Sequence, residues 1–252
     1  MTRPLIGITT EMAAAGWGDR VREAVLLPAS YAMALQRAGC VPVLLPPAPH
    51  GAAGLAARLD ALLFSDGGDI DPRRGGGELL DGAAEPDLVR DAGEFALMRA
   101  AIAARLPLLA IGRGMRVLNA VRGGSVTDQA LPAANGAAQS AGRELRISPG
   151  SRLDRVLGPS LSVTAAAWPS GRHQDVGRLG GGLSAVAWTG GGTAGGTGGG
   201  TADGTADDTV AAVELTGHPF AIGLAWHPEQ ADDLRIFEEL RAVAEAGHRE
   251  AA

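Results

Sequence analysis

Leu108-Leu109-Ala110-Ile111-Gly112-Arg113-Gly114-Met115 decides how this chain is read. The apolar run predicts a buried strand, and Gly-Arg-Gly turns it directly into a helix predicted over Met115 to Val121. Such a turn aims backbone N–H groups at one point with a helix N-terminus behind them, which suits an anion or an oxyanion. In open parallel sheets, ligands sit beyond the carboxyl ends of strands of this kind. Taken alone, Gly-x-Gly is equally consistent with a plain turn.

Outward from this turn, apolar runs predict further strands over Leu5 to Thr9, Val41 to Pro46 and Leu59 to Phe64. Helical spacing predicts helices over Leu27 to Ala38, Ala52 to Arg58 and Pro86 to Ala104, the first with Tyr31, Met33 and Leu35 on its apolar stripe. Strands alternating with helices predict a mainly parallel sheet covered on both faces. The second half differs. Short strands are expected over Glu144 to Ile147, Leu161 to Ala166, Leu183 to Trp188, Val210 to Leu215 and Ala221 to Trp226, before a helix over Asp232 to Ala246. The expectation is one α/β domain over residues 1–252. It has three layers in a flavodoxin-like arrangement, a mainly parallel central sheet and a small antiparallel extension. Thr189 to Asp208 is rich in Gly, Thr, Ala and Asp, and is expected to be a flexible loop.

Composition narrows the function. At 252 residues, 46% hydrophobic and 20% charged, the chain has material for a sizeable core. A net charge of −6 argues against a broad nucleic-acid footprint. All 22 basic residues are arginine, which excludes Schiff-base lysine chemistry and a phosphate-loop lysine. One cysteine, Cys40, excludes an intramolecular disulfide and a cysteine metal cluster. The apolar runs fall short of the roughly 20 residues of a membrane helix. Met1 to Thr9 lacks a signal-peptide pattern, so a cytoplasmic location is expected.

Two more segments carry chemistry. Ser65-Asp66-Gly67-Gly68-Asp69-Ile70-Asp71-Pro72 follows a predicted strand, and its paired glycines let backbone approach a ligand. Its aspartates also suit an acidic turn or a metal loop, the latter disfavoured because no histidine is near. Trp226-His227-Pro228-Glu229 places an imidazole two residues from a carboxylate that can fix its tautomer and raise its basicity.

Together these segments resemble the class I glutamine amidotransferase superfamily, in particular its γ-glutamyl hydrolase branch, peptidase family C26. The ordered match runs from Gly7-Ile8-Thr9 and Ala38-Gly39-Cys40-Val41-Pro42 through the Gly67-Gly68 loop and Arg90-Asp91 with Glu94. It continues through Gly112-Arg113-Gly114-Met115 with Asn119, Gly123-Gly124 with Gln129, His173-Gln174 and Trp226 to Glu229. The resemblance implies thiol acyl transfer from an elbow cysteine. It implies His227 as base, Glu229 as its orienter, and oxyanion donors at Gly68 and Arg113. The pocket is expected among Gly67, Gly68, Gly112, Arg113, His173, Gln174 and His227, with the Arg113 guanidinium either holding a substrate carboxylate or serving structure.

This sequence departs from the family pattern at its nucleophile. The pattern Gly-Ile/Val-Cys-Arg-Gly here reads Ala110-Ile111-Gly112-Arg113-Gly114. Gly112 cannot form a thioester; Cys40 reads as a small core residue, and Ser65 and Ser125 as turn residues. Arg143 and the long 189–208 stretch are lesser departures. Three functions stay open: His227-based acid–base chemistry on a small molecule, as in natural-product biosynthesis; a non-catalytic binding protein; or a γ-glutamyl amide hydrolase inactivated at position 112. The expected partner is a small molecule with a γ-glutamyl or other carboxylate group, without nucleic acid or membrane and with a homodimer left open. No cofactor or metal is expected.

Overall fold

The computed structural model describes residues 3–77, 85–130, 143–164, 172–189 and 209–251. The strands are β1 (Leu5–Thr9), β2 (Glu11–Trp17), β3 (Arg20–Leu26), β4 (Val41–Leu45), β5 (Ala61–Phe64), β6 (Leu108–Ile111), β7 (Val126–Ala130), β8 (Arg143–Ile147), β9 (Ser160–Val163), β10 (Arg172–Val176), β11 (Leu183–Thr189), β12 (Thr209–Leu215) and β13 (Ala221–Leu224). The helices are α1 (Ala29–Arg37), α2 (Ala52–Ala56), α3 (Leu88–Ala103), α4 (Arg113–Val121), α5 (Arg152–Leu157) and α6 (Arg235–Ala251).

One nine-stranded sheet runs in the order β4-β1-β5-β6-β13-β12-β11-β8-β9. The β4, β1, β5, β6 and β13 strands are parallel, and the rest pair antiparallel. β5, β6 and β13 are buried along their whole length, as apolar strands covered on both faces must be. Their carboxyl ends bring Ser65, Gly112 and the approach to His227 to one edge of the sheet. That edge is where ligands of open α/β sheets bind. The antiparallel extension carries β12, β11, β8 and β9, and so joins the chain's second half to the same sheet.

Some local expectations change. Met33 is exposed while Tyr31 and Leu35 are buried, so the apolar stripe of α1 is narrower than its composition suggests. Residues 11–26 form an antiparallel hairpin, β2–β3, that the sequence reading passed over. β2 alternates half-buried and exposed positions, but none of the hairpin's residues is buried, and its Ala and Gly, poor strand formers, show no alternation of large apolar and polar side chains in the sequence. Of the 189–208 stretch, Thr189 is buried at the end of β11, and the remainder lies outside the described residues. No helix among the described residues is long and apolar enough to cross a membrane.

Candidate active site

Gly112 links β6 to α4 with φ 52° and ψ −108°, a left-handed, strained backbone that favours glycine. Its N–H donates to Leu224 O of β13 at 2.7 Å, tying the turn to the next strand. The first N–H of α4, that of Arg113, points into the site and donates to Asp66 Oδ1 at 2.6 Å. A Cβ on residue 112 would collide with the Asp66 carboxylate. The carboxylate of one loop thus fills the space into which a side chain on the elbow would project.

His227 follows β13 and is buried. Its Nδ1 lies 2.9 Å from Glu229 Oε1, and its Nε2 lies 3.5 Å from Asp66 Oδ2. Glu229 sits in a 3₁₀ turn, Pro228–Gln230, whose opening proline fits the first position of such a turn. The imidazole is therefore held between two carboxylates. Burial pulls its pKa down, but the hydrogen bond and charge of Glu229, with the charge of Asp66, outweigh burial and the opposing charge of Arg116. The net shift is upward.

A cleft of about 300 Å³ opens beside these groups, lined by Glu11, Tyr31, Asp66, Gly67, Arg90 and His227 among others. Tyr31 accepts the Asp66 N–H at 3.1 Å. Burial and the nearby charges of Glu229 and Asp66 raise its pKa, so the hydroxyl stays protonated. The Arg90 guanidinium donates to Glu94 Oε1 at 2.9 Å, Glu11 Oε2 at 3.1 Å, Ser65 Oγ at 3.1 Å and Asp66 O at 2.8 Å. It lies so close to Gly67 that a Cβ there would strike it.

Several expected site residues serve the frame instead. The Arg113 guanidinium is turned away from the cleft, 1% exposed, and pairs with Asp91 and with Glu94 at 2.8 Å. It also donates to Gly68 O at 2.8 Å and Asp69 O at 3.0 Å. Of the two roles left open for Arg113, the side chain takes the structural one, and only its N–H faces the site. Gln174 is likewise buried; its amide accepts Ile70 N–H at 3.0 Å and donates to Ile70 O at 2.9 Å. It fastens the Gly67-Gly68 loop rather than lining the cleft. The His173 side chain lies outside the described residues. Ser65 Oγ is committed to Thr9 O at 2.8 Å. Cys40 is buried away from the cleft lining, and burial pushes its thiol up to about 11.

An elbow after a buried parallel strand, an adjoining glycine loop and a His–Glu pair in the turn that follows the next strand form one arrangement. The model of the family described as Peptidase C26 matches residues 4–196. This chain belongs to that family. A Mycobacterium tuberculosis protein named "Putative glutamine amidotransferase Rv2859c" is 34% identical over 252 residues, covering 95% of this chain and 74% of that one. The γ-glutamyl-γ-aminobutyrate hydrolase of Escherichia coli O157:H7 is 29% identical over 218 residues, covering 81% of this chain and 78% of the hydrolase. Among solved structures, a Thermoplasma acidophilum chain described as a "putative gmp synthase subunit a protein" superposes with a TM-score of 0.62. It is 14% identical, with coverage of 100% and 98%, and its likeness supports the fold alone.

In this C26 site the folded chain holds the His227 proton more tightly than the unfolded chain does. A raised histidine pKa contributes stability that is fully present below about pH 6.5 and is lost as pH rises through the folded value. The stability advantage of the natural chain over His227→Gln is therefore expected to shrink as the pH rises from below to above about 6.5. Urea midpoints across that range check it; an advantage that grows with pH contradicts the upward shift. Sequence reasoning missed Asp66, Arg90 and Tyr31 as lining groups. The available signals were that Asp66 adjoins the paired glycines and that Arg90 stands in a segment carrying the resemblance.

Proposed function

We propose that this C26 chain is a thiol-independent enzyme, in which His227, oriented by Glu229, performs acid–base chemistry on a small amide or ester bearing a γ-glutamyl or similar carboxylate group. Gly112 is read as the emptied nucleophile position. The observation that carries the reading is the buried His227–Glu229 pair, with its Nε2 facing the same point as the Arg113 N–H. A binding module has no chemical need of an imidazole so oriented. The γ-glutamyl class is taken from the E. coli relative, whose name specifies a γ-glutamyl-γ-aminobutyrate hydrolase. Arg90, rather than Arg113, is the cation in the cleft that can receive a carboxylate, by exchanging its partner Glu11, which is 42% exposed.

The test is product release from γ-glutamyl-γ-aminobutyrate, γ-glutamyl-p-nitroanilide and a γ-glutamyl ester. General acid–base catalysis contributes about 10²–10⁴-fold, so His227→Ala is expected to lower kcat/KM by roughly that factor. Release by natural chain and variant alike, or by neither, overturns the catalytic reading. The second outcome favours a binding protein.

A further inference from the structure

Acid–base work by His227 alone leaves unexplained why a second carboxylate occupies the elbow. Asp66 leaves β5 two residues after Phe64, and it is held from three sides. The Arg113 N–H fixes Oδ1, the Arg116 guanidinium lies 3.6 Å from Oδ1, and His227 Nε2 lies 3.5 Å from Oδ2. The side chain is still 29% exposed, at the wall of the cleft. A turn-forming aspartate would have no reason to reach across to a glycine 46 positions away in sequence (112 less 66) and fill its side-chain space.

We propose that Asp66 is the general base of a thiol-free hydrolysis at this site, taking a proton from the water that attacks the acyl carbon. This rests on the acid–base reading of His227 given above. The water oxygen forms its bond to the acyl carbon as one water proton passes to Asp66 Oδ2. The acyl C–N bond then breaks, its electron pair staying on nitrogen, which takes the proton from His227 Nε2. The acid and the amine leave. The proton on Asp66 crosses the short gap to the now neutral His227, and both groups regain their starting states. Net consumption is one water per amide. The raised pKa of His227 favours the protonated imidazole this sequence needs at its start. The Arg116 guanidinium, buried behind Asp66, balances its charge.

Asp66→Asn preserves shape and removes the basic oxygen. With γ-glutamyl-p-nitroanilide as probe, kcat is expected to fall by roughly a hundredfold or more while KM changes little. Formate added to Asp66→Gly is expected to restore part of the rate, which a merely structural role would not produce. Turnover in ¹⁸O-water is expected to label the glutamate product and leave Asp66 unlabelled. If Asp66→Asn keeps its rate while His227→Ala loses it, this inference falls and the His227 reading stands. Label in Asp66 would mark it as a nucleophile and overturn the water route. A natural chain without activity on the probe or its γ-glutamyl relatives brings down both readings.

Discussion

Replacing Gly112 by cysteine alone is expected to give a destabilised protein whose new thiol reacts sluggishly, whereas Gly112→Cys with Asp66→Gly should give a fast-reacting thiolate. The single change meets two obstacles. The elbow conformation at φ 52° carries strain of roughly 1–3 kcal/mol for a residue with a Cβ. The incoming Cβ also displaces the Asp66 carboxylate from the Arg113 N–H, a charge-assisted bond worth about 1.5–3 kcal/mol. Removing the Asp66 side chain clears the seat and leaves an imidazole and a helix N-terminus beside the thiol. Such surroundings lower a thiol pKa below its usual value of about 8.5. Iodoacetamide labelling of position 112 across pH, with urea midpoints for both variants, checks this. Equal labelling and undiminished stability in the single variant would show that Asp66 does not hold that space.

A second large stability effect is expected at Arg113. Arg113→Met takes the shared cation from Asp91, with its side chain fully buried, and from Glu94, 3% exposed, leaving Asp91 with Arg74 and Glu94 with Arg90 as their remaining cations. It also leaves Gly68 O and Asp69 O without this donor. Breaking a buried ion pair from one side costs about 3–5 kcal/mol when the surviving charge is left uncompensated; with Arg74 and Arg90 still in place, a loss near the lower end, about 3 kcal/mol, is expected. Those carbonyls belong to the loop that begins at Asp66, so activity should fall together with stability. Denaturant midpoints measure the first and p-nitroanilide release the second. A loss under about 1 kcal/mol would mean that the site frame does not depend on this buried network.

The parallel half of the sheet was legible because β1, β5 and β6 are short apolar runs closed by turn residues, the pattern that burial on both faces imposes. The elbow and the His227–Glu229 pair were legible for a local reason. Each lies within a few residues of chain, so spacing places its groups together, while the roles expected of them came from the resemblance. Asp66 was not legible in this way. Its role depends on β5 and β6 lying side by side, which no local pattern encodes. The same loop shows how one reading can be half right. Asp71 does cap the 3₁₀ turn Pro72–Gly75, accepting Arg73 N–H at 3.0 Å, while Asp66 enters the site. Arg113 was left with two roles because an arginine at an elbow suits a substrate carboxylate as well as a structural pairing. Two acids on α3, Asp91 and Glu94, instead draw it inward, and their distance in sequence hides the pairing.

The central claim is that chemistry at this C26 elbow proceeds without a thiol. Release of p-nitroaniline from γ-glutamyl-p-nitroanilide, compared before and after exhaustive treatment with iodoacetamide, tests it most directly. The chain's one cysteine, Cys40, is buried with its thiol pKa raised, and it does not line the cleft. The expected result is release at the same rate in both samples. Release that disappears on alkylation, or no release in either sample, would contradict the account.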